Sequence, residues 1–122
     1  QGVLIKRIAR HIRDDINSFY VIEHDHNIIG TAALYEYNQM IEIACFVIHP
    51  NYQRLGYGEK LLKFCEKKIQ EMGIKSIFAL TTQSEHWFIE KGFNQSDKKF
   101  MPNGRNKIYD IQRNSKFLTK NL

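Results

Sequence analysis

The chain of 122 residues is long enough for one domain with a single hydrophobic core and too short for two. Hydrophobic residues make up 43% of it and charged residues 25%, which is typical of a globular protein and excludes wholesale disorder. The formal net charge of +5 suits an anionic ligand or nucleic acid, but the basic residues are spread along the chain and no nucleic-acid motif accompanies them.

The sequence carries no pattern of a membrane span, a signal peptide or a disulfide framework. No apolar run approaches the ~20 residues that a membrane-spanning helix needs, and no signal-peptide pattern opens the chain. Cys45 and Cys65 lack metal-type spacing and do not indicate a disulfide framework, so both are predicted to be small buried residues. We therefore expect a soluble, cytoplasmic protein without a membrane or nucleic-acid partner.

The front of the chain predicts a helix followed by a hairpin. Apolar residues within 4–18 recur at near-helical spacing with charged residues between them, which predicts an amphipathic helix. Residues 19–23 form a predicted strand, residues 24–27 a polar turn, and residues 28–35 a second strand. The histidines of the turn do not indicate a metal site, because side chains in so tight a turn diverge.

Residues 41–60 predict a site for an anion. The apolar run 41–48 is typical of a buried strand, Gly56 and Gly58 lie where the chain must turn tightly, and an amphipathic helix opens at Glu59. The unpaired backbone N–H groups of a helix N-terminus, together with the helix dipole, favour a pyrophosphate there. The alternative is an ordinary strand-to-helix turn.

The rest of the chain alternates strand and helix. The helix 59–72 ends at Gly73, a strand follows at 74–80, and residues 81–84 complete that strand and provide the N-cap of a short helix at 85–91. Gly92 and Phe93 end this helix, and residues 107–118 predict a last strand. The order of elements predicts an α/β domain around a mixed sheet.

The pattern Gln53-x-x-Gly56-x-Gly58, after a strand that ends in Val47-Ile48-His49-Pro50, resembles the acetyl-coenzyme A loop of the GNAT N-acetyltransferases. The resemblance implies one GNAT domain over residues 1–122, with a mixed, mostly antiparallel sheet flanked by helices and with the family's first strand and helix missing. It implies acetyl-coenzyme A as acetyl donor and no metal. The pantetheine arm is then assigned to Cys45, Phe46, Val47 and Ile48, and the pyrophosphate to Gln53, Arg54, Leu55, Gly56, Tyr57, Gly58 and Glu59.

One branch of the family fits best. Five segments are similar, in order, to bacterial N-acetylglutamate synthases: residues 29–35, 42–45, 80–88, 91–93 and 109–116. The resemblance implies acetyl transfer to the α-amino group of L-glutamate by direct attack, the first step of arginine biosynthesis. In that branch the domain can follow an amino-acid-kinase-like domain or stand alone.

The chemistry requires a base, because a protonated amine cannot attack a thioester. Glu42 is the candidate, since GNAT enzymes often carry a glutamate on this strand; the alternative is a strand carboxylate paired with a nearby Lys or Arg. Backbone N–H groups beside a strand that splays from its neighbour would polarise the thioester carbonyl.

The leaving thiolate requires a proton, and the usual family tyrosine is replaced here by Phe88. Ser84, His86 and Tyr109 are the candidate substitutes, with Ser84 counted beside Glu42 as a catalytic residue. Solvent protonation would also serve, and His86 and Trp87 are equally consistent with ordinary helix packing.

A glutamate substrate carries two carboxylates, so cations and hydroxyl groups should line its pocket. By resemblance, Arg113 and Ser115 hold one carboxylate, and Lys6 or Arg7 on the first helix holds the other. Arg113 is otherwise a surface strand arginine. The family's lysine before the central strand is replaced by residues 38–40, which leaves another α-amino acid open.

Two other functions remain open at this point. A GNAT enzyme could act on another amine, such as a protein N-terminus or a polyamine, although a basic pocket disfavours a cationic substrate. A non-catalytic acetyl-coenzyme A-binding regulatory domain is the second. The predicted partner is a small-molecule amino acid, and a homo-oligomer remains open.

Overall fold

The computed structural model describes residues 3–7, 16–102 and 114–122. In that part the chain forms seven strands, two α-helices and two single 3₁₀ turns, at Pro50–Tyr52 and Lys98–Phe100. In chain order these are β1 (Val3–Arg7), β2 (Ile16–His24), β3 (Asn27–Tyr37), β4 (Met40–Ile48), α1 (Tyr57–Glu71), β5 (Ser76–Thr81), α2 (Glu85–Glu90), β6 (Asn94–Gln95) and β7 (Lys116–Asn121).

All described strands belong to one sheet in the order β1-β2-β3-β4-β5-β7-β6. Neighbouring strands run antiparallel except β4 and β5, which are parallel. Parallel neighbours need a crossover between them, and α1 provides it. The predicted α/β domain with a mixed, mostly antiparallel sheet is confirmed.

The predicted helix over residues 4–18 is wrong where the structure describes it. Val3–Arg7 pairs antiparallel with β2 over five residue pairs, and Ile16 already belongs to β2. Val3 and Ile5 pack against the main core while Leu4 and Lys6 are exposed, so the side chains alternate with the period of a strand. Pairing with β2 outweighs the helical spacing; residues 8–15 lie outside the described part.

The predicted hairpin is confirmed and its strands are longer than expected. Asp25 and His26 form its turn with φ of 52° and 67°, the backbone of a type I′ turn. Between the predicted strands 28–35 and 41–48 the connection is only a two-residue turn, Asn38 and Gln39, because β3 and β4 extend toward each other.

Helix α1 begins two residues earlier than predicted, at Tyr57. Its buried face consists of Leu61, Leu62, Cys65 and Ile69. Burying each large aliphatic side chain contributes about 1.5–3 kcal/mol, so this face anchors the helix to the sheet. The first turn of α1 is thereby fixed beside the end of β4.

The sheet carries hydrophobic clusters on both faces. The main cluster combines both helices with the side chains of the strands that point toward them, including Ile41, Ile43 and Ile77. A smaller second cluster, built from Phe78, Met101 and Phe117, includes Met40 at its margin. Residues of β4 therefore alternate between two different surroundings.

The last third of the chain follows the prediction in part. The predicted strand 74–80 is β5 and the short helix is α2, whereas the two-residue strand β6 was not predicted. The last strand begins at Lys116 and continues to Asn121; residues 107–113 of the predicted strand lie outside the described residues. Neither α1 nor α2 combines the length and the apolar character that a bilayer-spanning helix requires.

Candidate functional site

Strands β4 and β5 separate after a short stretch of pairing. They pair at three positions, which end at Glu42 opposite Phe78, although β4 continues to Ile48 and β5 to Thr81. We call the opening between 43–48 and 79–81 the split. Along it, the edge of β4 that faces away from β3 pairs with none of the described strands, so its main-chain groups need other partners.

A β-bulge accompanies the split. Between Thr31 opposite Val47 and Ala33 opposite Ala44, β4 contains one more residue than β3, and Cys45 has a φ of 50°. The hydroxyl of Thr31 donates to the carbonyl oxygen of Cys45 at 2.7 Å and fixes this conformation. A bulge bends its strand, which helps β4 to leave β5.

The bulge also exposes Cys45, so the prediction that it is buried is wrong, whereas Cys65 is buried as predicted. Among the other residues assigned to the pantetheine arm, Val47 is 58% exposed and Phe46 is half-buried against Trp87, with ring centroids 5.4 Å apart. Ile48 points into the main core. The split is therefore lined by main chain and partly exposed apolar side chains.

Glu42 lies where the split begins and is only 3% exposed. Strand alternation places its side chain on the same face as Met40, on the side of the second cluster. Its cross-strand neighbours are Tyr35 of β3 and Phe78 of β5. A carboxylate so little exposed at the base of an opening is an arrangement suited to proton transfer.

Residues 53–59, which we call the cradle, comprise the end of the loop that follows β4 and the first residues of α1. The side-chain amide of Gln53 donates to the carbonyl oxygen of Ile48 at 2.8 Å, so this side chain fixes the loop to the end of β4. Arg54 and Gly56 have φ of 65° and 89°. Gly56 is the N-cap and makes no side-chain cap hydrogen bond, and the N–H of Lys60 begins the helical bonding by donating to Gly56.

The N–H groups of the first turn of α1 therefore face the loop without a capping side chain, as an anion-binding helix start requires. Gly58 packs against helix α2. A Cβ atom at this position would lie 3.1 Å from Cζ2 of Trp87, so the absence of a side chain permits the close contact.

Glu59 is the acidic residue of the cradle, and two lysines hold it. Its carboxylate lies 3.0 Å from Nζ of Lys63 and 3.2 Å from Nζ of Lys91, the latter at the end of α2. The hydrogen bonds from Lys63 and from Lys91 lower the pKa of Glu59 below its ordinary value. Glu59 is therefore ionised at the mouth of the site, and the positive charges of the two lysines offset its negative charge.

Ser84 occupies the N-cap position of α2 as predicted, and Thr81 fixes the turn that precedes the helix. The hydroxyl oxygen of Thr81 accepts from the N–H groups of Ser84 at 2.8 Å and Gln83 at 3.3 Å. The exposed Ser84 hydroxyl makes no cap hydrogen bond. It lies just after the end of β5, beyond the split.

The other candidate acids differ in position. His86 has an 88% exposed side chain that pairs with Glu90 at 3.0 Å, so it belongs to the outer surface of α2. Phe88 is 5% exposed in the main core, and Trp87 packs between Phe46 and Phe88. Tyr109 lies outside the described residues.

The predicted carboxylate-binding residues fall into two groups. Ser115 is 1% exposed and precedes Lys116, which pairs with Thr81, so it lies at the same end of the sheet as Ser84. Lys6 lies on the edge strand β1 rather than on a helix, and its Nζ is 3.1 Å from a carboxylate oxygen of Glu23.

Three strand spacings, roughly 14 Å, separate β1 from β4. Arg7 ends the same edge strand, and Arg113 lies outside the described residues. The structure thus groups Glu42, residues 45–48, the cradle, Ser84 and Ser115 around the split, and it places Lys6 and Arg7 on a distant strand.

Three residues of this region were not predicted: Thr31, Thr81 and Lys91. Thr81 carries a local signal, because a threonine hydroxyl in a turn typically accepts from an N–H of the chain that follows, here that of Ser84, three residues on. Thr31 and Lys91 act on Cys45 and Glu59, 14 and 32 residues away in sequence, and such contacts leave no periodic pattern.

The chain resembles known proteins over most of its length. The profile of the Acetyltransferase (GNAT) family matches residues 3–93. The chain is 43% identical over 123 residues to an amino-acid acetyltransferase of Ralstonia nicotianae and 40% identical over 124 residues to one of Vibrio cholerae. These alignments cover 99% and 100% of this chain, which spans only 27% and 28% of those relatives.

Solved structures show the same arrangement. The N-acetylglutamate synthase of Neisseria gonorrhoeae, complexed with coenzyme A and N-acetyl-glutamate, superposes with a TM-score of 0.83 at 37% identity. The alignment covers 99% of this chain and 29% of that one. An acetyltransferase of Streptococcus agalactiae has the same TM-score at 16% identity and shares the fold. The chain belongs to the GNAT acetyltransferase family.

Proposed function

We propose that this domain transfers an acetyl group from acetyl-coenzyme A to the α-amino group of L-glutamate, the first step of arginine biosynthesis. The observation that carries the proposal is the split, with the buried Glu42 at its base and the cradle at its mouth. The names of the relatives and the ligands of the Neisseria synthase support both the reaction and the substrate.

The residues present fit coenzyme A. The cradle offers an uncapped first turn and two left-handed residues, and it is preformed because Gln53 holds it to Ile48. Val47 and Phe46 offer apolar surface, and the free edge of β4 offers hydrogen-bonding groups for an amide-rich chain such as pantetheine.

The position of Glu42 explains why an opening in the sheet is useful. Its side chain lies on the face of the second cluster, whereas α1 and the cradle belong to the opposite face. An extended acetyl donor can reach both only where the strands part. The amine would then meet the thioester on the side where Glu42 can accept its proton.

The chain's own groups divide the reaction into three tasks. Glu42 takes the proton of the attacking ammonium group, directly or through water, so that the amine nitrogen can bond to the thioester carbon. Backbone N–H groups of β4 beside the split stabilise the charge on the carbonyl oxygen. The nitrogen then loses its second proton to water as the carbon–sulfur bond breaks, and the thiolate receives a proton from solvent or from Ser84, whose hydroxyl regains its proton from solvent.

Substrate recognition rests on the end of β5 and the start of β7. Ser115 lies one residue before Lys116, which pairs with Thr81, and its hydroxyl would contact a carboxylate there; Arg113, two residues earlier, would supply a bidentate cation for the same carboxylate. Lys6 is engaged with Glu23 on a distant strand, so the proposal assigns the recognition to Arg113 and Ser115.

The test is coenzyme A release from acetyl-coenzyme A, followed with a thiol reagent, with each of the twenty amino acids and with a peptide N-terminus and a polyamine. We expect turnover with glutamate and at most slow turnover with aspartate. Turnover with a different amine and none with glutamate would show that the acetyl acceptor belongs to that other class. Coenzyme A binding without any turnover would instead identify a regulatory domain and contradict the catalytic role of Glu42.

A further inference from the structure

The cradle contains a carboxylate that a phosphate-binding site should avoid. Glu59 lies in the first turn of α1, where the helix dipole stabilises a negative charge. The same position would place it beside a bound pyrophosphate, and like charges at such short range repel. Some neighbouring cation must offset Glu59 if the cradle is to bind an anion.

Lys63 and Lys91 both contact Glu59, but in different surroundings. Lys63 lies one turn along α1, and its side chain is 72% exposed, so solvent screens the pair strongly. The side chain of Lys91 is 24% exposed and comes from α2, across the groove between the two helices. The contact of Lys91 is therefore the less screened of the two.

Lys91 is held from both ends. Its Nζ lies 5.4 Å from the ring centroid of Trp87, the residue that packs against Gly58 in the cradle. Its carbonyl oxygen accepts from Nζ of Lys120 at 2.8 Å, and Lys120 also pairs with Glu66 of α1 at 2.8 Å. These contacts fix the backbone and the side chain of Lys91 in position beside Glu59.

We propose that Lys91 is a positioning residue for the pyrophosphate of coenzyme A, and that Lys91 acts by offsetting the negative charge of Glu59. The inference rests on the proposed function, since it assumes that the cradle binds a pyrophosphate. It adds a residue outside the cradle whose contribution passes through Glu59.

The experiment measures the dissociation constants of coenzyme A and of ADP by calorimetry at low salt, for the wild type, Lys91→Met, Glu59→Gln and the double variant. We expect Lys91→Met to weaken the binding of both ligands about three- to tenfold, the range for a unit charge a few ångströms away that water screens. The loss should shrink at high salt. In the double variant the dissociation constants should return to within about twofold of the wild type.

Lys91→Arg should retain binding, because it keeps the charge. Lys67→Met is the matched control. Lys67 is exposed on α1, two turns beyond Glu59, so the variant removes one positive charge without touching the cradle. S-acetylpantetheine, which lacks the pyrophosphate, serves as a second probe, and its kcat/KM should be unaffected by Lys91→Met.

The outcomes separate the two proposals. If the wild type binds neither coenzyme A nor ADP, the proposed function is wrong and this inference with it. If the wild type binds both and Lys91→Met binds equally well, only the inference is wrong. A loss in Lys91→Met that Glu59→Gln does not rescue would show that Lys91 acts only through packing, which contradicts the electrostatic role.

Discussion

At the residue scale, Glu42 is the side chain on which the proposed reaction depends most. Its place on a strand was predicted from the apolar run 41–48, and its candidate role followed from the resemblance to GNAT enzymes, which often carry a glutamate on this strand. Its burial and its position at the last β4–β5 pair depend on pairing between distant segments. The sequence therefore indicated the residue but not why an opening begins beside it.

Replacing Glu42 with glutamine should lower kcat about 10²- to 10⁴-fold while the dissociation constant of coenzyme A changes little, because the amide keeps the shape but cannot accept the proton. Steady-state rates and calorimetry on the same preparations separate the two effects. Glu71→Gln, at the exposed end of α1, controls for the loss of one negative charge. Equal rates in both variants would show that Glu42 is not the base.

The two cysteines should react at very different rates with iodoacetamide. At pH 9 an ordinary thiol is about half ionised, whereas burial raises the pKa of Cys65 to about 12 from 9.0 and leaves it protonated. We expect carboxamidomethylation of the exposed Cys45 within minutes and of Cys65 only after unfolding, as measured by peptide mass spectrometry. Saturating coenzyme A should slow the modification of Cys45, which lies along the split.

The raised pKa of Cys65 also makes the stability of the fold depend on pH. Between pH 9 and 12 the unfolded chain loses the proton of Cys65 while the folded protein keeps it, so the unfolded state binds fewer protons and the free energy of unfolding falls as pH rises. Below pH 9 the thiol is protonated in both states and contributes no pH dependence.

Helix α1 illustrates the element scale. Both of its ends carry a glycine with positive φ, 89° at Gly56 and 81° at Gly73, and a Cβ at either would meet no atom within 4 Å. The two positions therefore have similar backbone strain and open space, and they differ in function. Only Gly56 belongs to the cradle.

Substituting alanine at Gly56 or at Gly73 should lower the free energy of unfolding by a similar amount, about 1–2 kcal/mol, because each forces a side chain into the left-handed region. Urea denaturation measures this. Only Gly56→Ala should also weaken the binding of coenzyme A, since relief of the strain moves the first turn of α1. Equal affinities in the two variants would exclude a role of the cradle in binding.

The elements that were predicted correctly are those with strong local signals. Helix α1 has a continuous apolar face and a glycine at each end, and the front hairpin has a polar turn between two apolar strands. The front helix was predicted wrongly because Leu4 and Ile5 fit the helical period, although β1 places them on opposite faces. Pairing with β2, a tertiary effect, decided this element.

At the scale of the whole molecule, Lys120 connects three elements that are far apart in sequence. From β7 it reaches Glu66 on α1, and it also donates to the carbonyl oxygen at the end of α2. The side chains of Lys120 and Glu66 are 23% and 14% exposed, so solvent screens this pair less than the surface pairs of the helices. No feature of the printed sequence singles it out from the other lysines.

Lys120→Met should lower the free energy of unfolding by roughly 1.5–3 kcal/mol, the range for hydrogen bonds to charged groups. The control is Lys68→Met, which removes a pair with Glu71 at 3.8 Å between half-exposed side chains and should change stability by less than about 1 kcal/mol. Urea denaturation of both variants distinguishes them. A stability change in Lys120→Met no larger than the control's would show that β7 does not rely on this link.

The short pairing of β4 with β5 also divides the sheet into two blocks. β1 to β4 form an antiparallel meander, and β5, β7 and β6 form a second antiparallel block. Among the described residues, only three pairs join the two blocks within the sheet. Cooperative folding units tend to separate where few contacts hold them together, so amide hydrogens along this seam should exchange with deuterium before those inside either block. A molecule that lay in the seam and touched both blocks would fasten them to each other, and its binding energy would appear as slower exchange throughout the sheet.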